Sequence, residues 1–186
     1  AFFLFFFRDP DRATPADPGL VISPADGRVM VAGAPAGPGA PKGEWRQVCI
    51  FLSPMNVHVN RIPISGRVTA SHYRAGKFLN AALDKASDDN ERHSIKIQTP
   101  SGVQIGCVQI AGLVARRISC DAREGQEVRT GVRYGLIRFG SRLAIADARR
   151  ATRCAAGLRT QAASPRSLTY STVRHRVVGH QQGLQQ

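Results

Sequence analysis

Tyr134-Gly-Leu-Ile-Arg-Phe-Gly-Ser-Arg142 is a short apolar run closed by a glycine and a serine. Leu136–Phe139 within it reads as a strand, because the run is too brief for a helix and rich in β-forming residues. Outward from it the same pattern recurs. Leu20–Ile22, Gly27–Ala32, Val48–Leu52, Gly66–Ser71, His93–Gln98, Val103–Ile110 and Ala111–Ile118 are short, β-branched runs separated by turn residues. Asp121–Arg133, with Gly125 and Gly131, reads as a turn-rich hairpin, and Gly33–Pro41 as a loop. Lys77–Asp89 has room for a helical turn or two before Asp88-Asp89-Asn90 breaks the pattern. The sum is a mostly β domain with little helix, a β-rich α+β chain.

Bulk properties narrow the classes further. The 186 residues suffice for one domain with a sizeable core, and 42% hydrophobic with 6% aromatic residues makes that core aliphatic. Five of the eight Phe lie in the first seven residues. That stretch is too short to span a bilayer, which takes about 20 apolar residues. It reads either as an interfacial anchor or membrane-helix stub, or as an edge strand against the core. The net charge of +13 is uneven: residues 142–186 carry eight Arg, no Lys and one acid, Asp147. Such a basic tail suits an anionic membrane surface. No nucleic-acid fold signature accompanies it, so nucleic acid is not expected as a partner. Cys49, Cys107, Cys120 and Cys154 lack metal-ligand spacing, so no metal is expected, and Cys49 and Cys107 read as buried thiols. A reducing, cytoplasmic setting is the natural inference.

Three further segments give Gly140-Ser141 its meaning: Phe6-Phe-Arg-Asp-Pro-Asp-Arg12, Ser23-Pro-Ala-Asp-Gly-Arg-Val29 and Leu52-Ser-Pro-Met-Asn-Val-His-Val-Asn-Arg-Ile-Pro63. In identity, order and spacing they resemble the short-form phosphatidylserine decarboxylases, including the archaetidylserine decarboxylase-like subgroup. The resemblance covers roughly residues 2–142. It implies a compact, lipoyl-like barrel-sandwich domain over residues 1–149. It also implies self-cleavage between Gly140 and Ser141 into a large fragment, 1–140 (the β chain), and a small one, 141–186 (the α chain). Phosphatidylserine would be converted to phosphatidylethanolamine and carbon dioxide through a Schiff base to a pyruvoyl group derived from Ser141. The expected location is the cell membrane, peripheral on the cytoplasmic side. Homo-oligomerisation is left open.

The residue types suit that chemistry. Decarboxylating an amino acid leaves electrons on the α-carbon that no ordinary side chain accepts, so an electron sink is required. Gly140 lacks a Cβ and lets a hydroxyl approach its carbonyl. Ser141 supplies both the nucleophile and the oxygen that is later eliminated. Serine needs a base, for which His58 is the candidate, with Asp26 orienting the ring and stabilising its charged form. Singly, Asp26 is equally an ordinary turn residue and His58 one face of a strand; together with Gly140-Ser141 they read as catalytic.

In longer bacterial members a second histidine stands where this chain has Arg61. His58 would then serve both maturation and protonation, or His72 would share the work. Arg61, His72 and Lys77 are candidates for substrate binding, and His93, His175 and His180 read as solvent-facing. Beyond Ser141 the family pattern fades. Ala144–Ala156 is Ala/Arg-rich and reads as helical, and residues 150–186 are expected to be a poorly ordered, atypical basic tail. Alternatives are a decarboxylase of an ether-linked serine phospholipid, an inactive relic, or a basic nucleic-acid-binding module.

Overall fold

A computed structural model describes residues 2–15, 17, 20–34, 45–77, 89–112, 117–137, 141–147 and 159–160. Helix α1 (Phe2–Phe6) is followed by strands β1 (Gly27–Gly33), β2 (Arg46–Leu52), β3 (Val59–Arg61), β4 (Gly66–Arg74), β5 (Arg92–Gln98) and β6 (Gln104–Ile110). Strands β7 (Ile118–Cys120), β8 (Glu127–Val128), β9 (Arg133–Ile137), β10 (Ser141–Asp147) and β11 (Arg159–Thr160) complete the order. The described chain is thus a mostly β single domain.

Eight strands form one antiparallel sheet in the order β11-β1-β2-β10-β6-β5-β4-β8, and three form a second, β3-β9-β7. Alternation explains the large sheet. In β5, Ile95 and Ile97 are buried while Lys96 and Gln98 are exposed, the period-two pattern of a strand with one face on the core. Val29, Ile50, Val68, Ile97, Ile105, Leu143 and Ile145 from the large sheet meet Ile62, Tyr134 and Ile137 around the small one. Gln109 joins the layers, donating from Nε2 to Asn60 Oδ1 at 2.8 Å, with both side chains buried.

Most of the expected strands are present with shifted ends. Leu20–Ile22 is not a strand; Ile22 donates one backbone bond to the Pro63 carbonyl (3.0 Å) and buries its side chain. Of Ala111–Ile118 only Ile118 enters a strand, and residues 113–116 lie outside the described set. The strand expected at Leu136–Phe139 instead runs Arg133–Ile137. β3 begins just past His58, where a strand is one of the two readings of the sequence. The Phe-rich start is a helix rather than an edge strand.

The expectation of helix from Ala144 is overturned by β10. That strand pairs with β2 along one side and with β6 along the other. Pairing on both sides and the burial of Leu143 and Ile145 override the high intrinsic helix propensity of Ala and Arg. Residues 148–156, and the tail from 150 apart from Arg159–Thr160, lie outside the described residues; those two pair with Arg28 and Gly27 of β1. The expected loop over Gly33–Pro41 and helical turn over Lys77–Asp89 lie largely outside as well.

Candidate active site

Ser141 is the first residue of β10 and stands in register with Leu52, the last residue of β2. From Leu52 the chain turns at once. Asn56 N–H donates to the Ser53 carbonyl (2.8 Å), and Ser53 N–H donates to Asn56 Oδ1 (2.8 Å). This closed Asx-type turn, helped by Pro54, delivers His58 two residues later. The His58 carbonyl in turn accepts from Ile137 N–H at 3.3 Å. Ile137 ends β9, four residues before Ser141. Both strands that flank Gly140-Ser141 in sequence are therefore tied to the Leu52–His58 segment.

His58 is 0% exposed, and its Nδ1 lies 2.9 Å from the Asn56 carbonyl. A carbonyl only accepts, so Nδ1 carries the proton and Nε2 is left as the basic atom. The ring of Phe6 covers the imidazole, with centroids 4.2 Å apart and planes 29° apart. Burial lowers the His58 pKa from 6.5 to about 4; the Asn56 carbonyl pulls it up and the Arg8 charge pushes it down. The residue is a neutral, dry base throughout the physiological range.

Asp26 ends the turn before β1 and is buried, with Oδ2 2.7 Å from Arg12 Nη2. It sits at the same end of the large sheet as Ser141, since Arg28 pairs with Phe51 and Phe51 with Arg142. At Nδ1 the orienting contact on His58 is the Asn56 carbonyl.

The N-terminal arm locks this end of the molecule. Arg8 donates to the Met55 carbonyl (2.7 Å) and to the Phe5 carbonyl (2.8 Å). Asp9 is gripped by Arg61 Nη2 at 2.6 Å and also by Arg133. Arg61 further donates to the carbonyls of Gly131 (3.0 Å) and Pro10 (3.2 Å) and is buried. Its guanidinium is thus engaged with the arm. Gly131 has φ +82°, and a methyl group there would run into the Thr14 hydroxyl, so glycine is needed where the arm crosses.

Of the other candidates, His72 lies on β4 and Lys77 three residues past its end. Lys77 is exposed; its carbonyl accepts from Glu91 N–H (3.0 Å), and the Glu91 carbonyl accepts from Ala111 N–H (2.9 Å). Ala111 follows Ile110, the cross-strand partner of Arg142, so Lys77 lies at the Ser141 end of the sheet. His72 is exposed and pairs with Ser94, in a row that crosses β10 at Ala144, three residues deeper. His93 departs from the expected solvent-facing position. It is half-buried, its Nε2 is 3.0 Å from Ser71 Oγ, and burial lowers its pKa. His175 and His180 lie outside the described residues. Among the described residues no group of three or more metal-ligating side chains is found.

Two features escaped the sequence reading. Phe6 belongs to a quoted motif, yet its partner is 52 positions away and nothing local announces it. Arg74, Arg92, Arg142 and Arg28 fall in one cross-strand row through Ile110 and Phe51, which only the register reveals.

The family model for phosphatidylserine decarboxylase matches residues 1–148. A phosphatidylserine decarboxylase proenzyme of Granulibacter bethesdensis is 57% identical over 146 residues, covering 76% of this chain and 59% of that protein. A proenzyme of the same description from Ruegeria pomeroyi is 56% identical over 142 residues (75% and 65%), and one from Paramagnetospirillum magneticum 54% over 145 (75% and 59%). The chain spans about three fifths of the length of these curated relatives.

Proposed function

The chain belongs to the phosphatidylserine decarboxylase family, and on that footing we propose that it is a self-processing carboxy-lyase. It would convert phosphatidylserine to phosphatidylethanolamine and carbon dioxide. What supports this reading is backbone register at one end of the large sheet, where Ser141 pairs with Leu52, six residues before His58, and Arg28, two residues after Asp26, pairs with Phe51.

The self-cleavage follows from these residues. Nε2 of His58 takes the proton of the Ser141 hydroxyl as Oγ attacks the Gly140 carbonyl carbon. The C–N bond breaks, the nitrogen receives that proton, and an ester replaces the amide. Loss of the Ser141 α-proton with cleavage of Cβ–Oγ then expels the Gly140 carboxylate. Water hydrolyses the remaining dehydroalanine, releasing ammonia and leaving a ketone. Asp26, beside the site, would stabilise the imidazolium while His58 holds the proton. Cleavage between Gly140 and Ser141 would give the two chains of the mature protein. The pyruvoyl group so formed supplies the electron sink for decarboxylation.

The chain's own groups suit an anionic, amine-bearing substrate. The arginine row through Arg142 and the exposed Lys77 place positive charge at the cleavage end, where a phosphate or carboxylate would be drawn. His72, further along β4, is proposed as a proton donor or headgroup contact.

A peripheral position on the cytoplasmic face of the membrane is part of the proposal. Leu4 (83% exposed), Phe5, Phe7 and Met55 form an apolar surface around Arg8, beside the covered His58. No helix among the described residues is long and apolar enough to cross a bilayer. The free thiols of Cys49, Cys107 and Cys120 suit a reducing compartment. The test is conversion of phosphatidylserine in anionic vesicles, followed as phosphatidylethanolamine and carbon dioxide. Activity in the wild-type protein that Ser141→Ala abolishes is expected; equal conversion by that variant would reject the reading.

A further inference from the structure

Nothing in the acyl-transfer chemistry calls for a phenylalanine, yet Phe6 is 0% exposed and stacked on His58. A five-residue helix cannot hold itself in water. The residues just after α1 hold it in place. Arg8 bonds to the Phe5 and Met55 carbonyls and sits 3.9 Å over the Phe5 ring, and Asp9 is clamped by Arg61 and Arg133. The polar contacts of the arm thus fix the position of one apolar ring.

Resting on the reading of His58 as the base of self-cleavage, we infer that Phe6 is a positioning residue for that base. It holds the imidazole in the plane that Asn56 sets and keeps water off it, while the Arg8–Asp9–Arg61 clasp keeps Phe6 in place.

The groups facing His58 make the consequence specific. Phe6 brings no charge, Arg8 brings a cation, Asn56 offers a carbonyl, Ile137 of β9 donates to the His58 backbone carbonyl, and Asp26, paired with Arg12, stands at the same end of the sheet. Desolvation is the largest influence on the ring and holds its pKa at about 4. Removing the Phe6 ring admits water and lets the pKa climb back toward 6.5. A base of pKa 6.5 is only about 3% neutral at pH 5, whereas one of pKa 4 is about 90% neutral.

The experiment follows cleavage of the freshly translated full chain between pH 4.5 and 8, for wild type, Phe6→Ala, Phe6→Leu and His58→Gln. Wild type should cut nearly as fast at pH 5 as at pH 8. Phe6→Ala should lose up to about 30-fold between those two pH values. Phe6→Leu, which keeps an apolar cover without the flat ring, should fall between and serves if the alanine variant does not fold. Wild-type rates and an unmoved acid limb in the phenylalanine variants, with His58→Gln uncut, would overturn the positioning role alone. Normal cutting by His58→Gln would overturn the base assignment and the inference with it.

Discussion

Ser141 and Leu52 face each other where β10 and β2 begin and end, so the bond broken in the proposed self-cleavage lies at the head of a strand with neighbours on both sides. From Arg142 to Asp147 the strand keeps its register with β2 and β6, which does not involve that bond. Leu143 and Ile145 remain buried, each contributing about 1.5–3 kcal/mol. The two fragments should therefore stay together through native chromatography and part only in denaturant. Leu143→Ala should cost about 2–5 kcal/mol and loosen the association, measured as a lower urea midpoint. Release of the small fragment from the wild-type protein without denaturant would contradict this placement of β10.

Asp26 contributes a buried carboxylate whose described partner is Arg12 at 2.7 Å. Asp26→Asn keeps the volume and removes the charge that would stabilise a protonated His58. Cutting should slow by about 100-fold, the usual scale for one member of an acid–base pair. Pulse-labelled precursor resolved by denaturing electrophoresis reports the rate. Unchanged kinetics would take Asp26 out of the chemistry and leave it as a clasp for the arm.

Arg61 is a buried cation whose counter-charge is Asp9. Asp9→Ala strands that guanidinium with only the Pro10 and Gly131 carbonyls, a loss of about 3 kcal/mol. Thermal unfolding of the Ser141→Ala background, with and without Asp9→Ala, measures it. A lowered midpoint and a more protease-sensitive N terminus are expected; an unchanged midpoint would mean that the clasp is not stabilising.

Stability should also depend on pH through His58. The unfolded chain takes up a proton near pH 6.5 that the native fold refuses until about pH 4, so the native state loses ground as pH falls through that window. At neutral pH and above the effect vanishes. The gap is worth roughly 3 kcal/mol. His93, also lowered by burial, acts in the same direction. Urea unfolding of Ser141→Ala from pH 7.5 to 4 should show the decline, and adding His58→Gln should flatten much of it. Equal slopes in the two proteins would show that His58 titrates normally.

How much of the molecule is legible in its sequence differs by residue. Ile95 and Ile97 alternate with Lys96 and Gln98, so β5 announces itself. Gly140-Ser141 and His58 are readable because their motifs stand whole in the sequence. β10 is not, because Ala144-Ile-Ala-Asp147 gains its strand character from two neighbours rather than from its own preferences. Phe6 on His58 and Asp9 on Arg61 are invisible for a related reason: each contact joins positions about fifty apart, and neither residue carries a local sign of its partner. The arginine row emerges only from cross-strand register, which short runs of similar alternation leave undetermined.

Both the proposed pyruvoyl group and the proposed two-chain state require that Ser141 rewrites its own link to Gly140. Intact-mass measurement of freshly expressed wild-type protein, denatured with and without prior borohydride, reads that event without any assay of turnover. Two masses are expected, with the fragment beginning at residue 141 gaining two hydrogens on reduction. A single unsplit mass that borohydride leaves unchanged would contradict self-cleavage.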